Sequence, residues 1–239
     1  MSTHADGTLV PVTATQLARM LQFGDSMLPI GGFSFSSGLE SAIQQRVVKD
    51  VASLLEFTRT AVEQAARGDG IAIVCAHRAA LVGDVEELLR IDSRVHARKL
   101  SSETRAMSTK MGRKFAELGA HVTSAATMQD WRQRVLSGAT PGCYPVALAI
   151  HFAAQGLSAR DAFVVHQYGV ATTILGAALR LMRISHVDTQ SLLFQLNADV
   201  DTPYDTAAAA TLDDMAGFAP MADILAAVHV KAHVRLFMN

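Results

Sequence analysis

Asp50-Val51-Ala52-Ser53-Leu54-Leu55-Glu56-Phe57-Thr58-Arg59-Thr60-Ala61-Val62-Glu63-Gln64-Ala65-Ala66-Arg67-Gly68 decides the fold class. Val51, Leu54, Leu55, Thr58, Val62 and Ala65 recur at steps of three and four, the spacing that gathers side chains on one face of an α-helix. Asp50 supplies an oxygen where the first N–H groups of a helix lack partners, and Gly68 is the expected stop. The period continues C-terminally. Asp69 to Val82 reads as the next helix, and Asp84 with Glu87 has the spacing of a capping box before Val85, Leu88, Leu89 and Val95. Leu100 to Leu118 and Thr127 to Leu136 extend the pattern until Gly138, Pro141, Gly142 and Pro145 interrupt it. Pro145 suits a first helical turn, where its missing N–H would be unbonded anyway, and opens a helix to Gln155. Ser158 with Asp161 caps a long apolar helix.

From Asn197 to Pro220 the chain is acidic and Ala-rich, a long loop with room for one short helix. A final helix begins near Met221, with Ile224, Leu225, Val228 and Ala232 sharing its face. Asp223 near its start and Lys231 and Arg235 near its end suit the helix dipole. No alternating run is long enough to form a sheet. The expected architecture is all-α: residues 1–16 a disordered tail, and residues 17–239 a single globular bundle of about ten helices.

Composition agrees. Half of the 239 residues are hydrophobic and only six are proline, so the chain can bury a sizeable core in helices. A net charge of −1 provides no global field for nucleic acid or membrane, and any electrostatic role is local. Between Arg90 and Arg134 ten Lys or Arg face four Asp or Glu, whereas Ile184 to Val230 holds seven Asp and no basic residue. Such faces suit protein partners as well as solvent. Cys75 and Cys143 match neither a metal pair nor a disulfide framework, which fits a reducing compartment. Met1 to Gln16 lacks the pattern of a signal peptide, so a cytoplasmic location is expected. Ala162 to Leu179 is free of charge over roughly the length of a membrane span. His166, Gln167, Tyr168, Thr172 and Thr173 interrupt it, favouring a buried bundle helix over a membrane segment.

Three candidate chemistries fail on their own requirements. Leu28-Pro29-Ile30-Gly31-Gly32-Phe33-Ser34-Phe35-Ser36-Ser37-Gly38-Leu39-Glu40 is rich in glycine and serine, but a P-loop needs a lysine and none occurs before Lys49. The segment reads instead as a structured turn that presents Ile30, Phe33 and Phe35 to the core or to a partner. His229 and His233 are four apart and could share one ion, making a nickel-binding storage or sensor protein the alternative reading. Val230 stands where a zincin would need glutamate. No G-x-S-x-G elbow or activated-thiol signature is present.

Three separated stretches resemble the UreF family of urease accessory proteins. The segment from Leu28 to Glu40 is similar to that family's N-terminal signature, and Glu103-Thr104-Arg105 with Met111-Gly112-Arg113 to its E-x-R and M-G-R spacing. Tyr144-Pro145-Val146-Ala147-Leu148, Tyr168, Ala177-Ala178-Leu179-Arg180-Leu181 and Asp188-Thr189-Gln190 resemble its later helices, and Arg235-Leu236-Phe237 its terminal R-L-F. Ile184-Ser185-His186, Val230 and Met238-Asn239 depart from the usual pattern. The resemblance implies an all-α, non-catalytic and usually dimeric assembly factor with no stably bound cofactor. It implies partnership with UreD (also called UreH), the GTPase UreG and apo-urease, in a complex that handles nickel and gates its GTP-dependent delivery. The residues it marks for partner binding are Ile30, Gly31, Gly32, Phe33, Ser34, Phe35, Glu40, Glu103, Arg105, Arg113, Arg180, Arg235, Leu236 and Phe237.

Overall fold

The computed structural model describes residues 2–3, 9–10 and 12–216. Its helices are α1 (Ala14–Gly24), α2 (Leu39–Gln44), α3 (Val51–Ala65), α4 (Ile71–Val82), α5 (Val85–Arg98), α6 (Ser102–Thr123), α7 (Ala126–Leu136), α8 (Tyr144–Ala154), α9 (Ala159–Leu181), α10 (His186–Leu196) and α11 (Asp201–Ala209). Ser2–Thr3 pairs antiparallel with Leu9–Val10, the one sheet among the described residues. The all-α reading stands. The boundary at residue 16 moves, because Thr13 and Gln16 form a capping box that opens α1 at Ala14. The terminal helix expected from Met221, with His229, His233 and Arg235 to Phe237, lies outside the described residues.

Helix α3 forms as its period and cap require. The Asp50 carboxylate accepts from Ser53 N at 2.8 Å, and Asp50 N donates back to Ser53 Oγ at 3.0 Å. Gly68, however, does not stop it. Ala66–Gly70 make a single π-helical turn that runs straight into α4. Glycine ends a helix by taking up a left-handed backbone, and neither Gly68 nor Gly70 has a positive φ. What Gly70 provides is room: a Cβ there would lie 2.5 Å from Phe163 Cε2 of α9.

Two apolar clusters make the core. The larger surrounds α8 and the first two turns of α4, where most side chains are buried, and includes Phe115, Trp131 and Phe163. The smaller joins α2, α3, α9 and α10 through Leu39, Leu54, Ile174, Leu175 and Leu192. Helix α9 contributes to both. By length and composition it could cross a membrane, yet half of its apolar window is buried inside this fold, as a core helix requires.

Helix α6 crosses close over the entry to α8. Gly112 of α6 sits so close to the loop before α8 that a Cβ would lie 2.0 Å from Gly142 O and 2.6 Å from Tyr144 N. Fully buried Asp92 of α5 holds that loop. Its carboxylate accepts from Thr140 Oγ1 at 2.5 Å, Gly142 N at 2.7 Å and Cys143 N at 2.8 Å. A buried carboxylate demands such partners, and here they fix the α6–α8 geometry.

Candidate partner-docking site

The segment that follows α1 folds back on itself before α2. Leu28 N donates to Asp25 O and Ile30 N to Leu28 O. Gly31, at φ 84°, then reverses the chain into a 3-10 turn over Gly32–Ser34. Gly38, at φ 82°, caps α2. Those two left-handed positions are where glycine is needed, because a Cβ disfavours that backbone. Ile30 and Phe35 are buried, whereas Phe33 is 68% exposed at the tip. The turn is therefore anchored by two apolar side chains and displays a third.

Arg180, near the end of α9, secures the tip by donating from Nη2 to Phe33 O at 2.9 Å. Gly32 lies against Met111 of α6 and Thr173 of α9. The fold thus brings together Ile30 to Phe35 and Arg180, residues separated by about 150 positions in the chain. The other marked positions are elsewhere. Glu40 and Glu103 are buried, at 3% and 4% exposure. Arg105 turns back to donate from Nη1 to the carbonyls of Lys99 and Leu100, covering the C-terminal end of α5. Arg113 is exposed on α6.

A part-buried ionic group lies deeper, unmarked by any sequence pattern. Lys99 Nζ contacts both oxygens of Asp69 at 2.7 and 2.6 Å, and His166 Nε2 is 3.6 Å from the same carboxylate. Burial, the largest influence, would raise the Asp69 carboxyl, but the Lys99 charge, His166 and the Lys99 hydrogen bonds together outweigh it and hold the group below the ordinary carboxylate range. Burial drives His166 down to about 4, against the pull of Asp69, so the ring is neutral near pH 7. His151, enclosed by Phe23 and Phe115, is likewise lowered to about 4, first by burial and then by Arg19. Both of its ring nitrogens lack hydrogen-bond partners among the described residues.

The thiols are not set up for attack. Burial pushes Cys143 well above its usual value, with Asp92 adding to the effect, and burial also raises Cys75. A nucleophilic cysteine needs the opposite shift. Among the described residues no group of three or more His, Cys, Asp or Glu side chains is placed to hold a metal ion. The clamped turn presents Phe33 outward at its tip.

The UreF family model matches residues 48–197. Urease accessory protein UreF 2 of Brucella canis is 56% identical over 223 residues, covering 93% of this chain and 92% of the relative. Urease accessory protein UreF of Yersinia enterocolitica is 50% identical over 228 residues, covering 95% of this chain and 100% of the relative.

The chain belongs to the UreF family.

The UreF model spans all of α3 through α10 and therefore takes in the Asp92 loop, the Asp69–Lys99 pair, Arg113 and Arg180. The glycine-rich turn lies N-terminal to that span, packed on UreF helices α6 and α9 through Gly32.

Proposed function

We propose that this chain is a non-catalytic assembly factor for urease maturation. It would act in the cytoplasm as a homodimer, within a complex that includes UreD (UreH), UreG and apo-urease and delivers nickel as cargo under GTP control. The observation that carries this reading is near full-length similarity to relatives named urease accessory protein. The geometry supports it: an exposed aromatic on a preformed turn binds with little ordering entropy to lose, and Arg180 keeps that turn in place.

In this reading Phe33 is the anchor offered to UreD, while Ile30 and Phe35 hold the turn from inside. Arg235 to Phe237 are proposed as a second UreD contact. Glu40, Glu103 and Arg105 serve the fold, and Arg113 belongs to a charged helical face suited to UreG or another transient partner. A buried aromatic anchor is worth about 2 kcal/mol at an interface, or roughly 30-fold in affinity. Co-purification of UreD with Phe33→Ala should drop accordingly while the helical circular dichroism stays unchanged. Capture of UreD by Phe33→Glu at the wild-type level would refute the turn as the contact.

A further inference from the structure

The basic stretch from Arg90 to Arg134 largely neutralises itself once folded. Of its four acidic residues, Asp92 and Glu103 are buried, and Glu117 and Asp130 pair with Lys114 and Arg134. Arg90 pairs with Glu87, Arg94 with Asp213 and Lys99 with Asp69, while Arg105 is spent on backbone carbonyls. Arg98 has no ion pair among the described residues and sits at the C-terminal end of α5, where the helix dipole favours a cation.

Arg113 and Arg132 are different, because they share a crevice. A hollow of about 130 Å³ between α6 and α7 is lined by Arg113, Ala116, Glu117, Arg132, Val135 and Leu136. Ala116 and Val135 form a buried apolar floor, and Leu136 is 54% exposed at the edge. Glu117 already faces Lys114 at 3.3 Å. No ion pair of the described residues takes up either guanidinium.

We propose that this crevice receives an acidic segment of a protein partner, with two carboxylates on Arg113 and Arg132 and an apolar side chain against Leu136. Guanidinium forks match carboxylates in bidentate geometry, and the apolar floor excludes water from the pairs. A nucleic-acid strand would need an extended cationic track, and two arginines over an apolar floor do not make one. The proposal rests on the maturation reading, which supplies the set of partners, and it adds Arg132 and Leu136 to the surface.

The test uses the full-length chain co-expressed with UreD, UreG and apo-urease, comparing wild type with the double variant Arg113→Glu/Arg132→Glu. Capture should weaken about tenfold or more in the double variant, remain intact in Arg98→Glu, and fall as salt is raised. In a second arm, Leu136→p-benzoylphenylalanine is photo-cross-linked within the complex, and the attached peptide should carry at least two Asp or Glu. Unchanged capture by the double variant, or a cross-linked peptide without acidic residues, overturns the crevice and leaves the maturation reading standing. Wild type that captures none of the three overturns the maturation reading itself, and this proposal with it. Tight binding of a single-stranded RNA oligomer, lost in the double variant, overturns the protein occupant in favour of nucleic acid.

Discussion

Replacing Gly112 by alanine puts a methyl group into the crossing of α6 over the loop that enters α8. That methyl would sit 2.0 Å from Gly142 O, 2.6 Å from Tyr144 N and 2.7 Å from Cys143 C. All three are backbone atoms, so no rotamer change can relieve the clash. Helix and loop would have to part by more than about 1 Å to reach ordinary contact, and the loop is tied to Asp92 through Gly142 N and Cys143 N. Overpacking of this kind costs about 1–3 kcal/mol. Each hydrogen bond lost from a buried carboxylate adds about 1.5–3 kcal/mol, and better helix propensity returns only about 1 kcal/mol. The net effect is on the order of 3–5 kcal/mol, or a Tm roughly 10 °C lower for a chain of this size. Thermal unfolding followed by circular dichroism measures it. Gly169→Ala is the matched control, since nothing lies within 4 Å of a Cβ there, and its Tm should hold or rise slightly. A Gly112→Ala protein that melts within about 2 °C of wild type would refute the close crossing.

Other expectations can be checked in the same unfolding assays. Asp92→Ala removes the acceptor of Thr140 Oγ1, Gly142 N and Cys143 N and should destabilise by about 3 kcal/mol or more; a change below about 1 kcal/mol would contradict the staple. Lys99→Met leaves the part-buried Asp69 carboxylate without its main partner and should destabilise by about 1–3 kcal/mol; an unchanged urea midpoint would contradict it. His151 and His166 stay neutral in the folded chain down to about 4, from an ordinary value of 6.5. The unfolded chain therefore takes up more protons as pH falls through that window, and stability drops, each ring contributing on the order of 3 kcal/mol at the acid end. Asp69, held below 3.8, adds its loss only under still more acid conditions. Urea midpoints should fall from pH 7 to pH 4.5 and fall less in His151→Leu; a flat profile in wild type would contradict the buried neutral rings.

What could be read in advance follows from how local each determinant is. The α3 helix was legible because its cap, Asp50 with Ser53, and its apolar period lie within one stretch. The turn at Gly31 and Gly38 was legible as a special backbone for the same reason, since positive φ is written into single residues. Gly68 misled because a glycine ends a helix only when its surroundings leave the backbone free to turn. Here α9 packs against the π turn through Phe163, nearly a hundred residues away. Asp92 gave no sign of its role, because its acceptors' partners lie 48 to 51 residues downstream in an irregular loop. Among the marked residues, Phe33 and Arg180 meet only in the fold, while Glu40 and Glu103 turn out to be buried. Charge counting found the basic stretch, but only the crevice they share in the fold singles out Arg113 and Arg132 within it.

The most direct test of the maturation role is the nickel content of urease produced with and without this chain, the other accessory proteins and nickel supply being held constant. With the chain present, apo-urease should become nickel-loaded and active, and without it nickel content and activity should both collapse. Equal nickel content and activity in the two preparations would contradict the role assigned to this UreF-family protein.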